Sequence, residues 1–446
     1  MNESGMRGFL GADRAAERTA ERTAERAAHR TADRVAERPA ERSAEPPPPP
    51  SAFEARPAGL ADALPPDVAL LRVTATSRGG HEQLTLSWHH GGTMRTAPDE
   101  RLSVQGPLSE LSLAALVARA AAESEGKHPW RAAYYDVMNW WLPETRLGEW
   151  LRELLAAAGQ PRLVVWDNTP YDIPWELLYH QPARPTGRDG DAAEDTQDTV
   201  PERQGWLGEL IPVVRWVSVY DGARARAYSA ERHVGEGGVL MLEDERFTDG
   251  RDDFGRYLVE PPTRTVQALM HRLDQPVEPF GLLLIRCHGV HSPMSRHFSL
   301  GGLSLNEYTD FPMTALDVHR APVLLNACSS GRTVRDPRRP DAAARGFPEL
   351  FLRRGASAVI ATVGDIDLNH SHDFALRLLH EAEEAPTRFA DALHRHRGHY
   401  ARRARRTPGA EDRRGEADFK LFLHSFLYVY YGHPDSSLRV VAREAP

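Results

Sequence analysis

Cysteine is almost absent: the chain of 446 residues holds two, Cys287 and Cys328. Two thiols build neither a disulfide framework nor a cysteine-rich zinc site, and they point to a reducing, cytoplasmic address. Long apolar runs are also lacking. Nothing approaches the roughly 20 residues that span a bilayer, and the opening MNESGMRGFLGADRAAER has no apolar core of a secretory signal. Positive charge is not in excess either. A formal net charge of -8 argues against generic binding to nucleic acid. No Gly-rich phosphate loop is present, which counts against a nucleotide-binding domain. No further ligands sit at workable spacing around Cys287 and His288, so neither a metal nor a cofactor is expected.

What is present divides into stretches of different character. Residues 13–45 repeat Arg, Ala and Glu with a period of four, and proline fills 46–50. The period stacks like charges at i,i+4, as in Glu17, Glu21 and Glu25, and leaves no apolar stripe to bury. Residues 1–60 are therefore expected to be disordered or weakly helical, ending in a stiff spacer. A mixed α and β region is expected over 61–235. It has a hairpin turning at Gly79-Gly80, amphipathic helices over 108–123 and 146–159, and a buried strand RLVVWD at 162–167. The polar segment 182–204 reads as an exposed flexible loop. From 236 to 436 short apolar strands (GVLMLE, GLLLIRC, APVLLNA, ASAVIATV) alternate with helices. One helix carries Val266, Leu269, Met270 and Leu273 on a single face. That alternation predicts a mainly parallel sheet with helices on both faces. Residues 437–446 read as a tail. The basic stretch 394–416 is expected to be a solvated helix face with a flexible end; nucleic acid is disfavoured by the acidic chain and the lack of interleaved aromatics.

In such sheets, reactions occur beyond the carboxyl ends of the strands. Two strands end in reactive residues: GLLLIRC runs into His288-Gly289, and VLLNA runs into Cys328 and then SSG. A thiol needs a partner to become thiolate at neutral pH, and an imidazole supplies one and later protonates the leaving amine. Acyl transfer also needs donors for the oxyanion, and the amides of Gly289 and Cys328 fit that role. Glycine after the histidine leaves room for a substrate carbonyl. Cys287 cannot serve beside His288, because adjacent strand residues point to opposite faces.

RCHG, then VLLNACSSG, then RGFPELFLRRGASAVIATV resembles the CHAT domain, a family of the caspase and separase clan of cysteine peptidases. RLVVWDNTPYDIPWELLY, WLGELIPVVRWVSV and FLYVYYGHP resemble further segments of the family in the same order, so the resemblance runs from about 160 to 436. It implies a caspase-like three-layer α/β sandwich with a mainly parallel sheet, preceded here by a smaller α+β region. It implies His288 as general base and acid, Cys328 as nucleophile, and Gly289 and Cys328 as the oxyanion hole. It also implies a protein substrate cut after a basic residue, and an activating protein partner or ligand, in signalling, cell death or anti-phage defence. The family's acidic specificity segment reads TVGDIDL here. Asp367 aligns with its first aspartate, Leu368 replaces the second, and Asp365 stands nearby as a substitute. Asp367 is alternatively a helix N-cap before NHSHDFALRLL. Arg338-Arg339 and Arg405-Arg406 are candidate self-cleavage sites. The alternative to a peptidase is a catalytically silent CHAT-like scaffold.

Overall fold

The structure is a computed structural model. It describes residues 65–442 except 79–80, 91–99, 104–111, 124–127, 141–145, 158, 168, 170, 182–202, 222–223, 228–230, 248–252, 335–344 and 407–412. The repeat at 13–45, the loop at 182–202 and the Arg338-Arg339 pair lie outside the described residues.

The elements follow in chain order. The first are β1 (Val68–Arg78), β2 (His81–His89), β3 (Glu100–Ser103), α1 (Leu113–Ala122), α2 (Pro129–Trp140), α3 (Arg146–Ala156) and β4 (Arg162–Asp167). A 3-10 turn at Trp175–Leu177 leads to β5 (Tyr179–His180), β6 (Gly205–Trp206), α4 (Leu207–Leu210), β7 (Val213–Trp216), β8 (Ser218–Asp221) and β9 (Arg224–Ala227). Then come β10 (Val234–Glu243), α5 (Val266–Leu273), β11 (Phe280–Arg286), β12 (Gly289–Val290), β13 (Ser299–Leu300), β14 (Leu303–Ser304), α6 (Leu305–Tyr308), α7 (Thr314–His319) and β15 (Val323–Asn326). The last are α8 (Phe347–Arg353), β16 (Val359–Thr362), α9 (Leu368–Glu384), β17 (Thr387–Arg388), α10 (Phe389–Arg405), α11 (Arg413–Leu427), β18 (Tyr428–Tyr431) and β19 (Ser437–Val440).

One sheet of 12 strands organises these elements, in the order β17-β19-β10-β11-β15-β16-β18-β7-β4-β1-β2-β3. Strands β10, β11, β15 and β16 are mutually parallel, as are β18, β7, β4 and β1. The β16–β18 pair is antiparallel and joins the two sets. The architecture is therefore α/β with a large, mostly parallel sheet, and strands from both halves of the chain lie in it.

Burial explains the apolar runs. All seven residues of β11 are buried, as expected of a strand covered on both faces. Leu283 and Ile285 join one core with α5, α8 and α11, while Leu282 and Leu284 join the other with α9 and α10. Helix α5 buries Val266, Leu269, Met270 and Leu273, the four positions its periodicity marks. Two local expectations fail. Ser437–Val440, read as a tail, is a strand because it pairs with β10 and β17 at the sheet edge. The basic helix α10, read as a solvated face, buries His396, Arg397, Tyr400 and Ala401. A carboxylate distant in sequence makes that burial tolerable. Glu176 accepts bonds from Arg215 Nε at 3.0 Å and Nη2 at 2.5 Å, and it stands 3.6 Å from Arg397 Nη2.

Candidate active site

Strands β11 and β15 are parallel neighbours, with Leu284 opposite Leu324 and Arg286 opposite Asn326. Two residues further on, that register sets His288 opposite Cys328, and both chains emerge at the carboxyl edge of the sheet. The side chains part as alternation requires. Cys287 is 1% exposed and belongs to the core with Phe298 and Leu300, whereas His288 is exposed. Burial pushes the Cys287 thiol up to about 12, so it stays protonated and inert.

The turn after β15 is tightly held. Ser329 adopts a left-handed conformation at φ 56°, an uncommon setting for a residue with a side chain. Its amide donates to the Gly364 carbonyl at 2.9 Å, and the Gly331 amide donates to the Thr362 carbonyl at 2.7 Å. The Thr362 hydroxyl donates to the Ala327 carbonyl at 2.6 Å. Beyond the turn, Arg332 Nε donates to Asp172 Oδ2 at 2.6 Å, which ties it to the segment between β4 and β5. Cys328 itself is half-buried. Burial raises its pKa, a bond from the Ile366 amide opposes that, and the exposed Asp365 carboxylate raises it again through its charge.

Gly289 begins β12, an edge strand of the small sheet β12-β13-β14. The Gly301 amide donates to the His288 carbonyl at 2.7 Å, which makes Gly289 and Leu300 a non-hydrogen-bonded pair. The Gly289 amide is therefore outside the ladder and points from the free edge. A Cβ on Gly289 would lie 1.9 Å from the Cys328 carbonyl oxygen. The space expected for a substrate carbonyl is filled by the carbonyl of Cys328, and only glycine permits the approach.

The two candidate acids part company. Asp367 caps α9, accepting from the amides of Asn369 at 3.1 Å and His370 at 3.2 Å, and takes a bond from Lys420 Nζ at 2.8 Å. Burial opposes its charge, but the Lys420 bond and these partners hold its carboxyl below the usual range. Asp365 is exposed and its charge reaches Cys328. Among the described residues no hydrogen bond joins His288 to Cys328, and no group of three His, Cys, Asp or Glu side chains is placed to hold a metal ion. No described helix is long and apolar enough to cross a membrane.

The CHAT domain family model matches residues 226–434, which include both strand ends and the segment TVGDIDL. Over that segment, just under half of its length, the chain is similar to the CHAT domain. No curated protein matches the chain. Two crystal structures of the Saccharomyces cerevisiae separase–securin complex are similar to it. The one at 3.0 Å resolution has 10% identity and a TM-score of 0.44, and the other has 11% and 0.39. Each match covers 84% of this chain and 30% of the other, so the chain spans about a third of the length of what it matches.

Two sets of neighbours had no signal in the sequence. Glu176 sits inside the IPWELL segment, yet nothing local marks it as the counter-charge of Arg215 and Arg397. The turn after β10 brings Phe247 against His288 and Asp244 within reach of its charge. Their apolar and charged types were visible, but their position depends on which strand adjoins β11.

Proposed function

We propose that this CHAT domain is a cysteine endopeptidase working through His288 and Cys328. The observation that carries this is the β11–β15 register, which sets the two residues opposite each other with Gly289 packed against the Cys328 carbonyl. His288 takes the Cys328 proton, and the thiolate attacks the scissile carbonyl carbon. The amides of Gly289 and Cys328 receive the oxyanion. The C–N bond then breaks as His288 protonates the leaving amine. Water, giving its proton to His288, hydrolyses the thioester and frees the thiol. The exposed Asp365, rather than the capping Asp367, receives a basic side chain preceding the cut. The raised thiol pKa and the unmade His288–Cys328 bond fit an enzyme that a protein partner or ligand activates.

The test is labelling by an arginyl chloromethyl ketone, with and without a cell extract as a source of activator. Labelling is expected to vanish in Cys328→Ala and His288→Ala and to persist in Cys287→Ala. Asp365→Ala is expected to lose the preference for arginine over norleucine, and Asp367→Asn to keep it. Labelling that survives Cys328→Ala refutes the assignment. The same unmade bond favours a second reading, a silent scaffold; under it, neither condition gives labelling at Cys328 above that of His288→Ala.

A further inference from the structure

The chemistry proposed above leaves the turn after β10 without a role. Strand β10 ends at Glu243, opposite Arg286 on β11. The Asp244 amide donates to the Arg286 carbonyl at 3.0 Å, and the Phe247 amide donates to the Asp244 carbonyl at 2.8 Å. Residues 244–247 are thereby anchored where β11 stops, two positions before His288. The half-buried Phe247 ring meets the exposed His288 imidazole edge to face, with centroids 4.8 Å apart and planes at 60°. That distance and angle are in the favoured range for aromatic pairs.

The Asp244 carboxylate is fixed as well. Arg246 Nε donates to Oδ1 at 3.1 Å, Nη2 donates to Oδ2 at 2.9 Å, and the Arg246 amide donates to Oδ1 at 3.1 Å. The Arg246 side chain is 65% exposed and screened by water, while that of Asp244 is 17% exposed. The Arg246 bonds chiefly hold the Asp244 carboxyl below its usual range, and the charge of His288 contributes in the same direction.

We propose that Asp244 and Phe247 are positioning residues for His288. Phe247 fixes the tilt of the imidazole at the sheet edge, and Asp244 supplies the negative charge that an imidazolium beside a thiolate needs. This rests on the His288–Cys328 reading and adds a third and fourth member that a dyad description omits. The other titratable and charged groups near the pair are Glu243 at the end of β10, which is paired with Arg286 and Arg264, Glu245 and Arg246 on the turn, Cys287 after β11 and Asp365 after β16.

The test is iodoacetamide alkylation of Cys328 in the full chain, followed by mass spectrometry across pH. The protein is first treated with the activating cell extract, because the Cys328 thiol is raised in the resting chain, and the buried Cys287 serves as an internal negative. The unaltered protein is expected to alkylate at about pH 6.5, where an imidazolium stabilises the thiolate. His288→Gln removes that low-pH component. Asp244→Asn moves the profile to higher pH and slows the reaction at about pH 6.5 by about threefold. Phe247→Ala slows it by a similar factor, and Phe247→Tyr restores it to within about twofold. If Asp244→Asn or Phe247→Ala melts more than about 5 °C lower, Asp244→Glu and Phe247→Tyr carry the comparison instead. Asp244 and Phe247 profiles that overlay the unaltered one, with His288→Gln still slow, overturn the positioning roles and leave the dyad intact. Alkylation indifferent to His288→Gln overturns the dyad and this inference with it.

Discussion

Gly289→Ala is the perturbation whose cost follows most directly from geometry. The new Cβ would stand 1.9 Å from the Cys328 carbonyl oxygen, 3.0 Å from its carbon and 3.2 Å from Leu300 Cδ2. The nearest atom is backbone, so no side chain can swing aside to relieve the clash. The Cys328 carbonyl has to retreat by more than an ångström. The turn it belongs to is pinned through Ser329, Gly331 and Thr362. Overpacking of this kind costs about 1–3 kcal/mol, read as a fall of several degrees in melting temperature. The functional cost is larger. On the proposed mechanism, displacing Cys328 by about 1 Å loses about 100-fold, and a misplaced oxyanion donor loses about 100- to 1,000-fold. Calorimetry and the rate of chloromethyl ketone labelling in the activated protein read the two effects separately. Gly302→Ala is the control: its Cβ meets nothing within 4 Å, although φ is +89°. It is expected to lose about 1 kcal/mol of stability with no change in labelling. A Gly289→Ala protein that melts like the unaltered one and labels within about twofold of it would refute the claimed packing of Gly289 on Cys328.

Other expectations concern the supporting structure. Glu176→Gln leaves the buried Arg215 and Arg397 without their carboxylate, and denaturant titration should record a loss of about 3–5 kcal/mol; a loss below about 1 kcal/mol would mean that another group compensates them. Acid should destabilise the fold early. Burial holds His370 down to about 3 and His424 to about 4, and it lowers the buried His396 well below its ordinary value. The unfolded chain therefore binds more protons below about pH 6.5, and stability present above that pH is lost as pH falls toward 4. Denaturation midpoints at pH 6.5 and 5 should differ by at least about 1.4 kcal/mol of stability per pH unit, and a flat response would contradict neutral buried imidazoles. Gly398 lies within α10, where an added Cβ meets only the tip of the exposed Arg402, at 3.1 Å. Gly398→Ala should raise stability by about 0.5–1 kcal/mol in the same titration, and destabilisation would show that Arg402 cannot move aside.

The sequence alone determined the strands β10, β11, β15 and β16 and the helices α5, α8, α9 and α10, because apolar runs and helical periodicity are local signals, whereas FLHSFL, read as part of a final strand, ends the helix α11. It also determined where chemistry could sit, since strands that stop on His288 and Cys328 need only be parallel neighbours to share an edge. It set Cys287 aside, because strand alternation is a property of the chain itself. The tertiary structure decided everything that depends on a partner far along the chain. Asp367 became a cap held by Lys420, and Asp365 was left exposed with its charge reaching Cys328, a choice the string TVGDIDL could not make. Ser437–Val440 became a strand only because β10 and β17 offer it an edge. Arg397 could be buried only because Glu176, over 200 residues earlier, meets it. The reason for Gly289 likewise changed from room for a substrate to room for the Cys328 carbonyl. Periodicity reports which face of an element is buried, whereas the identity of the group that meets it is set by sheet order and register.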